Sequence, residues 1–268
     1  MEDTKEQLKQ LFDDSLKEIP SFKKKFYEGA FQALYNEHEN FLKTLSVMCD
    51  EEEEHLSERM EELAGVIPEY AEEKLRAVTA RNKRKNLTMD YNLCMAVYVI
   101  PLITYTTHSK KCDCNLFAER IIAIWNAKNV TGLKLSKSSF DAIRGGFKKG
   151  LCYITTAVCE SRNLPDDCYE LETLRKYRDG YLMQTEEGKR LVEEYYDIAP
   201  GIVMAVNMHR DASDIYEKIY QKYLVPCIQD AESGRNEECK DRYINMVTEL
   251  QNEYFMYDRL HLRRMQMQ

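Results

Sequence analysis

The chain has 268 residues, of which 46 are acidic and 38 basic for a formal net charge of −8, with 44 % apolar and 31 % charged residues. Such a chain is too apolar to stay disordered, too acidic to coat nucleic acid generally, and long enough to bury a core in one large domain or two small ones. Ten glycines and six prolines are about half the average joint usage of ~12 %, which starves a many-stranded fold of turns and points to an all-α protein.

Met1 is followed by Glu2, Asp3 and an amphipathic charged run rather than by basic and then apolar residues, so no signal peptide is expected and a cytoplasmic location is. Thr4 and Gln7 have capping-box spacing, and Leu8, Leu11, Phe12, Leu16 and Ile19 recur at helical intervals up to Pro20. From Phe22 to about Cys49 one long amphipathic helix is expected, with Phe26, Phe31, Leu34, His38, Phe41, Leu42 and Leu45 on its apolar face. After an acidic run at 50–54, two further helices are expected at Ser57 to Ala64 and Pro68 to Ala80, the second starting at its proline. Residues 1–85 thus read as an antiparallel helical unit. Arg81 to Lys85, RNKRK, closes it, and a domain boundary is expected near residue 86.

The second domain, 86–268, opens with an apolar run from Leu93 to Ile103 of about 11 residues, short of the ~20 that span a bilayer, so it reads as a buried core helix. Helical periodicity returns at Leu116 to Lys128, Asp166 to Leu182, Glu186 to Tyr196, Pro200 to Met208, Asp214 to Leu224 and Asn236 to Met265. Nine scattered cysteines fit free thiols in a reducing compartment. His108, Cys112 and Cys114 form an H-x3-C-x-C group suited to zinc or iron, although a second close ligand pair is missing. No P-loop, dinucleotide fingerprint, HExxH, GxSxG or EF-hand spacing occurs. The one basic cluster is no sustained stripe, so nucleic acid is not an expected partner, nor is a membrane; a protein partner or self-association is.

The informative segment is 152–159, CYITTAVC. On a helical wheel Cys152, Thr155, Thr156 and Cys159 share one side and no charged side chain occupies the other, so the helix is expected to be buried all round. Cys152 and Cys159 would stand about 10 Å apart along the axis, too far for a disulfide. Cys168, Glu172, Arg175 and Asp179 recur at four, three and four residues and share a second face, which with Arg178 lies either in solvent or against the Cys/Thr helix.

CYITTAVC, then DDCYELETLRKYRDGYL at 166–182, then YYDIAPGIV at 195–203, together resemble the bacterial CFI box. The family's pattern runs from a Cys-Phe-Ile-Ala-Thr-Ala start through Leu-Arg-x-Phe-Arg-Asp to a Tyr-Tyr-x-x-(Ser/Ala)-Pro element. The likeness covers roughly 150–207 and implies that the box residues correspond to Cys152, Thr156, Arg175, Arg178, Asp179, Tyr195, Tyr196 and Pro200. This chain departs where the commoner form has Tyr-Gly: Val158 and Cys159 stand there. The resemblance implies a module and no particular reaction. Two functions are therefore open. One is a non-enzymatic interaction or regulatory protein whose box is core. The other is a thiol- or metal-dependent enzyme using Cys152 or Cys159, with Cys168 near, and with Arg175, Arg178 and Asp179 tuning a thiolate.

Overall fold

The computed structural model describes residues 1–50, 56–105, 114–147 and 152–254. It is all-α, 83 % helical with no strand among the described residues. In chain order the segments are α1 (Glu2–Glu18), α2 (Lys24–Glu37), α3 (Glu39–Asp50), α4 (Glu58–Arg76), α5 (Arg81–Cys94), α6 (Ile100–Thr104), α7 (Asn115–Lys128), α8 (Phe140–Gly146), α9 (Tyr153–Ser161), α10 (Tyr169–Gly180), α11 (Glu186–Asn207), α12 (Ala212–Ile219), α13 (Val225–Glu232) and α14 (Asn236–Tyr254).

Two compact units divide the chain, Met1–Phe22 with Phe26–Gly146, and Lys23–Lys25 with Phe147–Gln268. The boundary expected near residue 86 falls inside α5, whose first turns are the exposed RNKRK residues. The physical reason is that a basic run is solvated just as well on a helix face as in a linker, so charge alone marks no domain edge.

In the first unit α4 packs against α1 and α7. Leu8, Leu11 and Phe12 of α1 are wholly buried, each worth about 1.5–3 kcal/mol in apolar transfer. Several local expectations change. No side-chain cap precedes α1, which starts two residues before Thr4, so the capping box is not used. The helix expected over 22–49 is two, broken at His38, although His38 N still bonds the Leu34 carbonyl and Leu42 N the His38 carbonyl. Conversely 57–80 is largely one helix: Ser57 caps α4 through Met60 N, and Pro68 lies buried in its interior. Burial on the core compensates the single backbone bond a proline removes.

Proline shapes two longer rods in the same way. Residues Arg81–Thr104 form one continuous helix whose middle, Met95–Val99, widens to π geometry just before Pro101. Pro101 cannot donate to the carbonyl four residues back, that of Val97, and Tyr27 Oη takes it instead at 3.0 Å. Ser138 Oγ likewise bonds the Ala96 carbonyl. In the second unit Tyr220–Leu224 is π-helical ahead of Pro226 and joins α12 to α13. In each case the wide turn makes room for the pyrrolidine ring. The rod Arg81–Thr104 has the length and composition to cross a membrane, but 72 % of its apolar window is buried inside the protein, and Leu93 to Ile103 are core residues as expected.

In the second unit α11 packs against α9 and α14, and α13 against α10 and α14. The segment 186–208, expected as two helices, is the single α11 with Pro200 buried inside it. The α13–α14 hairpin is closed by Asp230, which is 5 % exposed and accepts from Arg235 and Arg242 at 2.8–3.0 Å. Burial works against its charge, but the two guanidinium groups win and hold the carboxyl below its ordinary range. Cys227 and Cys239 donate their thiols to each other's carbonyls at 3.9 and 3.3 Å across the same hairpin.

Candidate functional site

The box forms a helix, α9, whose Tyr153, Ile154, Thr155, Ala157, Val158 and Cys159 are buried and whose Thr156 is half-buried. Its β-branched residues do not make a strand because no partner strand exists among the described residues and all-round burial repays their lost rotamer freedom. Asn163, at φ 58°, tolerates the left-handed conformation that ends the helix. Leu164 N then bonds back to the Cys159 carbonyl, and the Pro165–Cys168 turn leads into α10. This return brings Cys159, Cys168, Cys152 and Leu171 into one buried cluster. Burial, with the Cys168 thiol as neighbour, pushes Cys159 up from its ordinary value.

The four-residue polar row on α10 does not act as a unit. Cys168 turns into the core, while Glu172 is exposed and bonds Lys176. Arg175 spans back to the carbonyl and carboxylate of Asp166, both at 2.7 Å, and so fastens the turn ahead of its own helix. Arg178 is the residue that reaches the box: its Nη1 lies 3.6 Å from Cys152 Sγ and donates to Tyr196 Oη at 3.1 Å, while Nε and Nη2 grip Asp179 at 2.7 and 3.0 Å. That grip holds the Asp179 carboxyl below its usual range.

The thiolate reading required Cys152 to be acidified. Its shift runs the other way: burial raises the thiol and outweighs the opposing pull of Arg178 and Arg175. A guanidinium already neutralised by a bidentate carboxylate has little left to offer a sulfur inside an apolar wall. Cys152 and Cys159 are thus buried and raised rather than acidified, and Cys168 is buried beside them. Iodoacetamide at pH 7 is expected to label all three only as fast as the native protein unfolds, and completely in denaturant; peptide mapping that finds Cys152 modified in native protein faster than a free thiol of pKa ~8.5 would contradict this.

Tyr195 and Tyr196 flank the box from α11. Tyr195 Oη accepts from Ile154 N at 3.0 Å and from Tyr243 Oη at 3.3 Å, and Tyr243 is 3.3 Å from Thr155 Oγ1. Burial raises both phenols, so both remain protonated. Pro200 sits one turn past Tyr196, buried in α11, and Thr156 Oγ1 is enclosed without a partner. Of the implied set, Cys152, Arg178, Asp179, Tyr195 and Tyr196 meet, whereas Arg175 is held by Asp166 and Thr156 Oγ1 and Pro200 make no bond to the group.

Beside this junction lies a cavity of about 80 Å³. Cys152, Arg178 and Tyr195 wall it together with Leu174, Val192, Lys240, Tyr243 and Val247. Nothing in the sequence points to the walls from α14 beyond the helical periodicity of 236–265. Lys240 is occupied by Glu237 at 2.6 Å, so both lining cations already hold carboxylates and the interior is apolar in character.

Of the expected zinc or iron group, His108 and Cys112 lie outside the described residues. Cys114 is buried at the head of α7 with φ 51°. No family model, no curated protein and no solved structure matches the chain.

Proposed function

We propose that the protein is a non-enzymatic interaction module of regulatory type, in which the CFI-like box walls a pocket that receives one aliphatic side chain of a protein partner. The supporting observation is the cavity itself: apolar walls from α10, α11 and α14 around the Cys152 thiol, which burial keeps protonated. At about 80 Å³ it is roughly half the ~150 Å³ that admits benzene, room for a leucine-sized anchor rather than for a drug-sized substrate. Binding energy in this reading comes from burying that anchor, about 1.5–3 kcal/mol, with Arg178–Asp179 and Lys240–Glu237 as a polar rim. The thiol-dependent enzyme is the weaker reading because Arg175 serves Asp166 and the Cys152 thiol is raised rather than acidified.

The test uses N-acetyl-leucine methylamide as a minimal anchor and N-acetyl-glycine methylamide as control, read by NMR shifts of methyl groups lining the cavity. The leucine probe is expected to shift the Val192, Val247 and Leu174 methyls saturably, and Val247→Phe, which fills the space, to abolish this with the fold retained by circular dichroism. Equal or no response to the two probes would sink the proposal.

A further inference from the structure

The first unit holds an arrangement that neither the box nor the pocket uses. Asp14 of α1 and His38, at the break between α2 and α3, face each other in the interior, 9 % and 7 % exposed. His38 Nε2 lies 3.2 Å from Asp14 Oδ2, and neither atom makes a hydrogen bond. Two such groups at that distance would normally share a proton; here the contact lacks hydrogen-bond geometry, which leaves two unsatisfied ligand atoms side by side in the interior. Glu37 is the third member: a ligand atom of each residue lies within 4.8 Å of the others.

We propose that Asp14, Glu37 and His38 form a binding site for a divalent transition metal of the zinc class. Tetrahedral zinc with ligand bonds of 2.0–2.1 Å places adjacent ligand atoms about 3.3 Å apart, close to the 3.2 Å between His38 Nε2 and Asp14 Oδ2. One imidazole and two carboxylates are three protein ligands, leaving a fourth position for water. The buried pair supplies the preformed half of the site and exposed Glu37 closes it from solvent. Asp14 uses its other oxygen, Oδ1, on Lys17 at 2.6 Å. The Lys17 side chain is 74 % exposed, so it can swing clear of an incoming cation. The chain break at His38 now has a reason: residue 38 turns its imidazole inward towards α1, and an ion there ties α1 to the α2–α3 junction.

The test uses full-length protein stripped with chelator, in a Cys112→Ser/Cys114→Ser background so that those thiols cannot compete. Zinc is titrated against a chromophoric chelator, and cobalt(II) serves as the spectroscopic probe. The expected result is one equivalent bound, a cobalt spectrum without a thiolate charge-transfer band, and affinity reduced at least tenfold by His38→Gln. Because a buried histidine variant can misfold, Glu37→Gln at an exposed position is the second variant, expected to weaken binding severalfold with an unchanged circular dichroism spectrum. Binding that survives both substitutions, a spectrum showing thiolate ligation, or no stoichiometric binding at all would overturn the proposal. Failure here leaves the pocket of the second unit untouched, since no residue is shared.

Discussion

Asn92→Ala is expected to remove most of the stability of the first unit. Asn92 is wholly buried, and its side chain is a three-way connector: Nδ2 donates to the Lys134 carbonyl at 3.1 Å, while Oδ1 accepts from Trp125 Nε1 and Thr131 Oγ1, both at 2.9 Å. Alanine leaves two buried donors and one carbonyl without partners, each costing about 1–3 kcal/mol, so a total of about 3–9 kcal/mol is at stake in a fold whose margin is ~5–15. Trp125 is the only tryptophan and is fully buried, so its fluorescence reports the change directly. The variant is expected to show a lower denaturant midpoint and red-shifted emission. A loss below about 1 kcal/mol would mean that water replaces the asparagine and that the connector is not structural.

Gly188→Ala is expected to be the most damaging single methyl in the second unit. A Cβ at Gly188 would sit 1.9 Å from the Leu182 carbonyl oxygen and 2.7 Å from its carbon. Both are backbone atoms, so no side-chain rotation can relieve the contact; the 182–184 turn or the start of α11 has to move. Gly188 N also donates to Thr185 Oγ1 at 3.0 Å, the cap of α11, so any shift loosens the helix that carries Val192, Tyr195 and Tyr196. A destabilisation of about 3 kcal/mol or more follows, with loss of the leucine-probe response because Leu182 and Val192 both line the cavity. Gly29→Ala is the control. Its Cβ would meet nothing within 4 Å on α2, and the substitution is expected to add about 0.5–1 kcal/mol by stiffening the unfolded chain. Thermal melts of the two variants should therefore move in opposite directions; a neutral Gly188→Ala would show that the turn yields freely.

The helical class, the burial of Leu93 to Ile103 and the helical state of CYITTAVC were legible from residue order, because periodicity and the scarcity of glycine and proline act locally. Helix ends were less so. Pro68 and Pro200 were read as starts and lie inside helices, and His38 was read as a helix interior and is a break. A proline's cost of one bond is small against a buried face, and the break at His38, whose imidazole lies against Asp14 24 positions earlier, has no local signature. The thiol cluster shows the same division. Spacing alone puts Cys152 and Cys159 on one face, but that Cys168 joins them depends on the Asn163–Cys168 return. Helical spacing likewise places Arg175, not Arg178, in line with Cys168 and Asp179, although either arginine could tune a thiol. Only packing sends Arg178 to Cys152 and Arg175 to Asp166, and only packing brings Tyr243 from α14 to the box. The sequence by itself determined which residues are chemically able to act and which segments are helical. The tertiary structure decided which of them meet and in what protonation state, since desolvation and long-range contact depend on neighbours that no local window contains.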